Sequence, residues 1–188
     1  MINVFRRLCS VLCLFALASC TMPETRIYSL HLPAENAAVR PRKQVMVTLR
    51  VHSPRYLAQP YIAWRISPYQ LEISGYAKWE MPPVDMISEA FRDALIAHFQ
   101  QVRVSNAVPD GSVVLSVNLR RFEGVDDQFG ELVLDAELST AEGKEIHRMT
   151  ASRKVPLETK DSAGLAKALS SALHEAVQDV VVAMENRV

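Results

Sequence analysis

Downstream of residue 25 the chain is written in two periods, and they predict its elements. Arg26 to Leu32 (Arg-Ile-Tyr-Ser-Leu-His-Leu) alternates apolar and polar residues as a half-buried strand does, and Pro33 to Lys43 has no apolar period and reads as a loop. Gln44 to Val51 is a second strand with Val45, Val47, Leu49 and Val51 on one side. Pro54 to Pro60 is a turn, and Tyr61 to Ile66 and Tyr69 to Ile73 form a short hairpin about Ser67-Pro68. The period then changes. Pro82 and Pro83 suit a first helical turn, and Val84, Ile87, Phe91, Leu95 and Phe99 recur at helical spacing behind them.

The second half returns to period two. Gln101 to Ser105 is a short strand, Asp110-Gly111 a turn, and Val113, Leu115, Val117 and Leu119 alternate with Val114, Ser116, Asn118 and Arg120. Leu132, Leu134, Ala136 and Leu138 alternate with Val133, Asp135, Glu137 and Ser139, and Glu142-Gly143 turns the chain into a strand over Glu145 to Val155. Asp161 to Asn186 puts Leu165, Leu169, Leu173, Ala176, Val177, Val180 and Met184 along one stripe of a long helix. Each long strand has one greasy face and one mostly polar face. The expectation is therefore a two-layer α+β fold, with a mostly antiparallel or mixed sheet carrying two main helices on one face.

The apolar run at the N-terminus is of another kind. Met1 to Arg7 is basic through Arg6 and Arg7, Leu8 to Ala18 is too short to span a bilayer, and Leu17-Ala18-Ser19-Cys20 follows. This order predicts a lipoprotein signal over 1–19, with Cys20 acylated as the first mature residue, 20–25 as a tether and 26–188 as one periplasmic domain. The alternative is a plain secretory signal with an incidental thiol. Cys9 and Cys13 leave with the signal, so no disulfide is available. The 169 residues from Cys20 onward suffice for a core held by packing alone. Loss of Arg6 and Arg7 takes the balance from 21 basic against 21 acidic residues to 19 against 21, which attracts no nucleic acid. Acyl chains are the expected membrane attachment, and Thr21, where an inner-membrane lipoprotein commonly has aspartate, points to the outer membrane.

Candidate chemistry is sparse. His31, His52, His98, His147 and His174 are scattered, so neither a metal site nor a cofactor is expected, and nucleophile-elbow, phosphate-loop and dinucleotide fingerprints are lacking. Asp126 and Asp127, with Glu123 and Glu131 nearby, read as a solvated hairpin tip between Gly124 and Gly130, without the spacing of a calcium loop. Tyr56, Leu57, Tyr61, Trp64, Tyr69, Tyr76 and Trp79 fall within one short span. Residues of these types serve cores and interfaces alike, so most are expected to pack the first helix and the remainder to line a contact surface. Tyr56, Leu57, Tyr61, Trp64 and Trp79 are the candidate partner-binding set.

Several of these residues also carry a resemblance. Tyr28-Ser29-Leu30 behind the cysteine, Tyr56-Leu57 with Pro60 and Ile62, Arg65, Leu71, Trp79-Glu80-Met81-Pro82-Pro83, Leu115-Ser116-Val117 and Phe122-Glu123-Gly124 resemble, in order and spacing, the PqiC-type auxiliary lipoproteins of ABC transport systems. The resemblance implies a fold like the N-terminal domain of TolB. It also implies a non-catalytic periplasmic component working with an ABC permease, an ATPase and an MCE-domain protein that carries lipids between membranes. Glu80-Met81 departs from the small and acidic pair common in that family, which bears on partner identity. An adaptor docking an MCE conduit at the outer membrane is the leading expectation, ahead of a lipid-binding carrier and an envelope hydrolase. A monomer and a homo-oligomeric ring are both compatible with the sequence.

Overall fold

The computed structural model describes residues 24–33 and 42–188, so Cys20, the leader and most of the 33–43 loop lie outside the described residues. Eight strands, β1 (Arg26–Tyr28), β2 (Lys43–His52), β3 (Tyr61–Ser67), β4 (Gln70–Trp79), β5 (Phe99–Val104), β6 (Val113–Val125), β7 (Phe129–Thr140) and β8 (Glu145–Pro156), form one sheet. Helices α1 (Pro83–His98) and α2 (Ser162–Glu185) cover it, and a single 3-10 turn (Arg55–Ala58) follows β2. The two-layer α+β arrangement is the one expected. The sheet is mixed. β3 with β4, β6 with β7 and β7 with β8 run antiparallel, whereas β1 with β4, β2 with β5, and β6 with both β2 and β3 run parallel.

Alternation decides which face the helices cover. Val47, Leu49, Leu115, Val117, Leu119, Phe122, Leu132, Leu134, Ala136 and Leu138 form a buried core with Ile87, Phe91 and Leu95 of α1 and Leu165, Leu169, Leu173 and Val177 of α2. The opposite face of β6 to β8 is wet and charged: Arg121 meets Glu131 at 2.8 Å, Arg148 meets Glu137 at 2.7 Å, and Thr150 donates to Asp135 at 2.7 Å. One part of that face is covered. The chain from β5 to β6 must cross the intervening β2, and Arg50 donates to the carbonyl of Asn106 in this crossing, which places the loop on the side of Thr48 and Val114 and leaves both buried.

Several boundaries differ from the sequence reading for identifiable reasons. β1 stops at Tyr28 because Leu30 and Leu32 turn onto the core, and the His31 amide donates to Ser170 Oγ on α2 at 3.0 Å. β4 runs on to Trp79 because an irregularity around Ser74, whose Oγ accepts the Ala77 amide, absorbs the Ser-Gly break. Phe99, assigned from its spacing to the first helix, opens β5 and is buried there, its amide donating to Leu95 O. β6 carries a bulge between Leu119 and Arg121, which leaves Arg120 and Arg121 exposed and returns Phe122 to the core.

The ends of the long helix are held by side chains. Asp161 caps α2 by accepting from the Gly164 amide at 2.8 Å, and Lys43 donates to the carbonyls of Glu185 and Val188 at the other end, where helix carbonyls lack partners. The Gly164 amide, then the Thr159 hydroxyl, hold the Asp161 carboxyl below its usual range. The sign follows: this cap stabilises the fold above the ordinary aspartate pKa, and its contribution drains as pH falls through the lowered value. The gap in unfolding midpoint between wild type and Asp161→Ala is therefore expected to stay constant above about pH 5 and to shrink below about pH 4, measured by thermal melts across pH.

Candidate functional site

The aromatic span does not converge on one surface. Leu57 is wholly buried in the core, and Trp79 is 2% exposed, with its ring 5.6 Å from that of Phe122. Neither residue can present a contact face, which corrects their place in the candidate set. Both point inward because the 3-10 turn and the end of β4 lie against α1 and β6. Trp64 is half-buried and lies across Gly124. A Cβ on Gly124 would come within 2.2 Å of the Trp64 ring, so this glycine is fixed by close approach. Gly124→Ala is expected to cost about 2 kcal/mol by forcing the ring out of place, read from denaturant unfolding at unchanged slope.

Tyr56 belongs to a different structure. β2 leaves the β6 edge after His52 pairs with Asn118, and β3 joins that edge only where Trp64 pairs with Gly124. The 3-10 turn spans the interval and brings Tyr56 over Glu123. Glu123 has no exposed surface. Its carboxylate receives Arg65 Nε at 2.5 Å, Arg65 Nη2 at 3.1 Å and the Tyr56 hydroxyl at 3.0 Å. Burial first, and the Glu123 charge second, push the Tyr56 phenol above its usual range, so it stays a donor. The carboxylate hydrogen bond in turn raises the Arg65 guanidinium. The expected solvated tip is thus corrected at Glu123, which is a buried ion-pair centre.

Asp126 and Asp127 do form the tip. Both have left-handed backbone, with φ of 53° and 50°, and Gln128 N donates to Val125 O at 3.0 Å within the three-residue loop between the paired Val125 and Phe129. Glu131 is drawn to Arg121. His98 Nδ1 lies 2.6 Å from Glu185 Oε1, joining the ends of the two helices. Among the described residues, no group of three or more His, Cys, Asp or Glu could hold a metal ion, and no helix is long and apolar enough to cross a membrane.

Among the described residues, six of the ten exposed large apolar side chains lie on the neighbouring strands β1, β4 and β3 or the turn that joins the last two, while Ile96, Val104, Ile146 and Val182 are scattered elsewhere. Ile27 and Tyr61 flank Lys78 in one row on the face away from the helices, and Ile66, Tyr69, Ile73 and Tyr76 lie on the hairpin, with Tyr69 at its turn 99% exposed. Of the candidate set, only Tyr61 belongs to this surface. Ile27, Ile66 and Ile73 were missed because their local alternation matches that of a covered strand. β3 pairs with β6 only at Trp64 and Arg65, so the outer part of the hairpin extends past the neighbouring strand, and Ile27 lies on the edge strand β1.

Several spaces border the helices, among them one of about 520 Å³ along α2 lined by His31, Ala166, Ser170 and His174. An open groove of about 470 Å³ lies between α1, α2 and the 30–33 segment, lined by Leu30, Leu32, Ala90 and Val177 and by the acids Glu80, Glu89 and Asp93. Between α2 and the sheet, the cavity bounded by Leu115, Leu138, Met149 and Val180 measures about 10 Å³, room for no more than about one water.

The fold has solved relatives. The crystal structure of protein XCC0632 from Xanthomonas campestris superposes with a TM-score of 0.72 at 21% identity, covering 82% of this chain and 92% of that one. That of an uncharacterised protein gives 0.69 at 15% identity, covering 86% and 99%. A PelC dodecamer from Paraburkholderia phytofirmans reaches 0.41 at 16% identity over 73% of this chain and 90% of that one, too loose a likeness to speak to assembly. No curated protein matches the sequence significantly. The family model described as "ABC-type transport auxiliary lipoprotein component" matches residues 28–181, which takes in the 3-10 turn, the Arg65–Glu123 centre, the hairpin and nearly all of α2. This chain therefore belongs to the ABC-type transport auxiliary lipoprotein component family.

Proposed function

We propose that the protein is a non-catalytic periplasmic component, acylated at Cys20 and held at the outer membrane, that docks the MCE-domain protein of an ABC permease and ATPase system for lipid transport. The family match over residues 28–181 carries this reading. The Leu-Ala-Ser-Cys order supports acylation after a signal over 1–19, and Thr21 supports the outer membrane. The row of Ile27, Lys78 and Tyr61 supplies a protein-docking face of mixed character, with Tyr61 as its aromatic anchor. A carrier that enclosed an acyl chain between helix and sheet would need far more room than the 10 Å³ found there. In density-gradient fractionation of the envelope, the wild type is expected with outer-membrane markers, Thr21→Asp with inner-membrane markers, and Cys20→Ala in neither membrane. A wild type found with the inner membrane would overturn the placement.

A further inference from the structure

We infer that the tip of the β3–β4 hairpin, with Tyr69 at its apex, Ile66 beside it and Ile73 behind it on β4, is a second membrane contact that seats the domain on the phospholipid surface holding its own anchor. The inference rests on acylation at Cys20. Tyr69 is 99% exposed in the turn closed by the Ser67–Gln70 pair, Ile66 beside that turn is 43% exposed, and Ile73, 41% exposed, lies farther back on β4 opposite Ala63. A tyrosine at the apex of an isoleucine-flanked turn matches the headgroup boundary of a bilayer, where its ring and hydroxyl are both accommodated.

The topology brings the bilayer to this end of the molecule. β1 runs parallel to β4 with Arg26 opposite Ala77, so β1 followed back toward its start points to the hairpin turn. Lys78 pairs with Tyr61, which puts Arg26 level with about Ile62, and the five residues from there to Ser67 cover about 17 Å. The six steps from Cys20 to Arg26 reach at most about 20 Å. Anchor and hairpin tip therefore meet the same surface without stretching the tether beyond its length.

The surroundings limit the contact to the tip. Arg65 is level with Val125, so the Asp126–Asp127 turn stands at the same end beside the hairpin, and these two carboxylates keep the body of the sheet out of an anionic bilayer. Three side chains at the end of one hairpin fall well short of the roughly 1,200 Å² that a stable protein pair buries. They suffice next to a bilayer that the anchor already holds at high effective concentration.

The test uses the full acylated lipoprotein carrying Tyr69→Cys, labelled with an environment-sensitive fluorophore and reconstituted into phosphatidylethanolamine and phosphatidylglycerol vesicles containing a spin-labelled phospholipid quencher. A matched label at Glu142→Cys sits on the β7–β8 turn, at the far end of the sheet. The expected result is about a two-fold loss of emission at position 69 and none at 142. If the intact mass shows an acylated Cys20 and position 69 stays unquenched, the membrane seat is overturned and the anchor stands. An unacylated mass overturns both. Thiol cross-linking of two copies through position 69, without quenching, would assign the tip to a second copy of the chain instead.

Discussion

Replacing Arg65 with methionine is expected to destabilise the domain by about 3–5 kcal/mol, the upper range for a single substitution. Glu123 is fully buried and Arg65 supplies two of its three hydrogen bonds, so the substitution leaves a carboxylate in a dry site with only the Tyr56 hydroxyl to answer it. The reverse change, Glu123→Met, is expected to cost less. Arg65 keeps 21% side-chain exposure and can hydrate its freed donors. The double variant Arg65→Met with Glu123→Met should recover most of the loss, since an apolar pair leaves nothing unsatisfied. Denaturant unfolding of the four proteins gives the cycle, and equal, small effects for both single variants would show that the pair is hydrated instead.

Trp79→Ala is expected to cost about 4 kcal/mol, whereas Trp79→Phe should cost less than about 1.5 kcal/mol. The large side chain is enclosed and packs at 5.6 Å against Phe122, so truncation opens a cavity at the junction of β4, α1 and β6. Its indole Nε1 is buried without a hydrogen-bond partner, so removing the N–H while keeping a ring forfeits packing and no polar contact. Thermal unfolding separates the two variants. The pair also separates packing from recognition: if Trp79 is purely a core residue, Trp79→Phe leaves partner capture at the wild-type level, whereas Tyr61→Ser lowers capture and leaves the unfolding midpoint within experimental error.

The antiparallel half of this fold was legible because its information is local. β6, β7 and β8 are consecutive, their alternation is regular, and Asp126-Asp127 and Glu142-Gly143 mark both turns. Both helices were legible from their apolar stripes and from Pro83 and Asp161 at their starts. The parallel pairings were not. No local signal says that β2 lies between β5 and β6, or that it leaves β6 at His52 and opens a gap that the 3-10 turn fills. The burial of Glu123 follows from that gap alone, and so sequence spacing groups a residue three positions from an acidic turn with the turn. Even so, Tyr56-Leu57, Arg65 and Phe122-Glu123-Gly124, separate along the chain, carried the family resemblance, and the fold gathers them around one buried carboxylate. Their shared role is to join the hairpin to the sheet. At the candidate surface, residue type pointed to the right span and to Tyr61, but it could not sort Leu57 and Trp79 from exposed neighbours, because an interface and a core draw on the same side chains.

The proposed role is tested most directly by affinity purification of the full-length lipoprotein from cross-linked membranes, with mass spectrometry of the proteins and lipids that come with it. Recovery of an MCE-domain protein together with an ABC permease or ATPase, reduced by Tyr61→Ser and kept by Trp79→Phe, is the predicted result. Recovery of phospholipid with no transport component would contradict docking and return the protein to the carrier class.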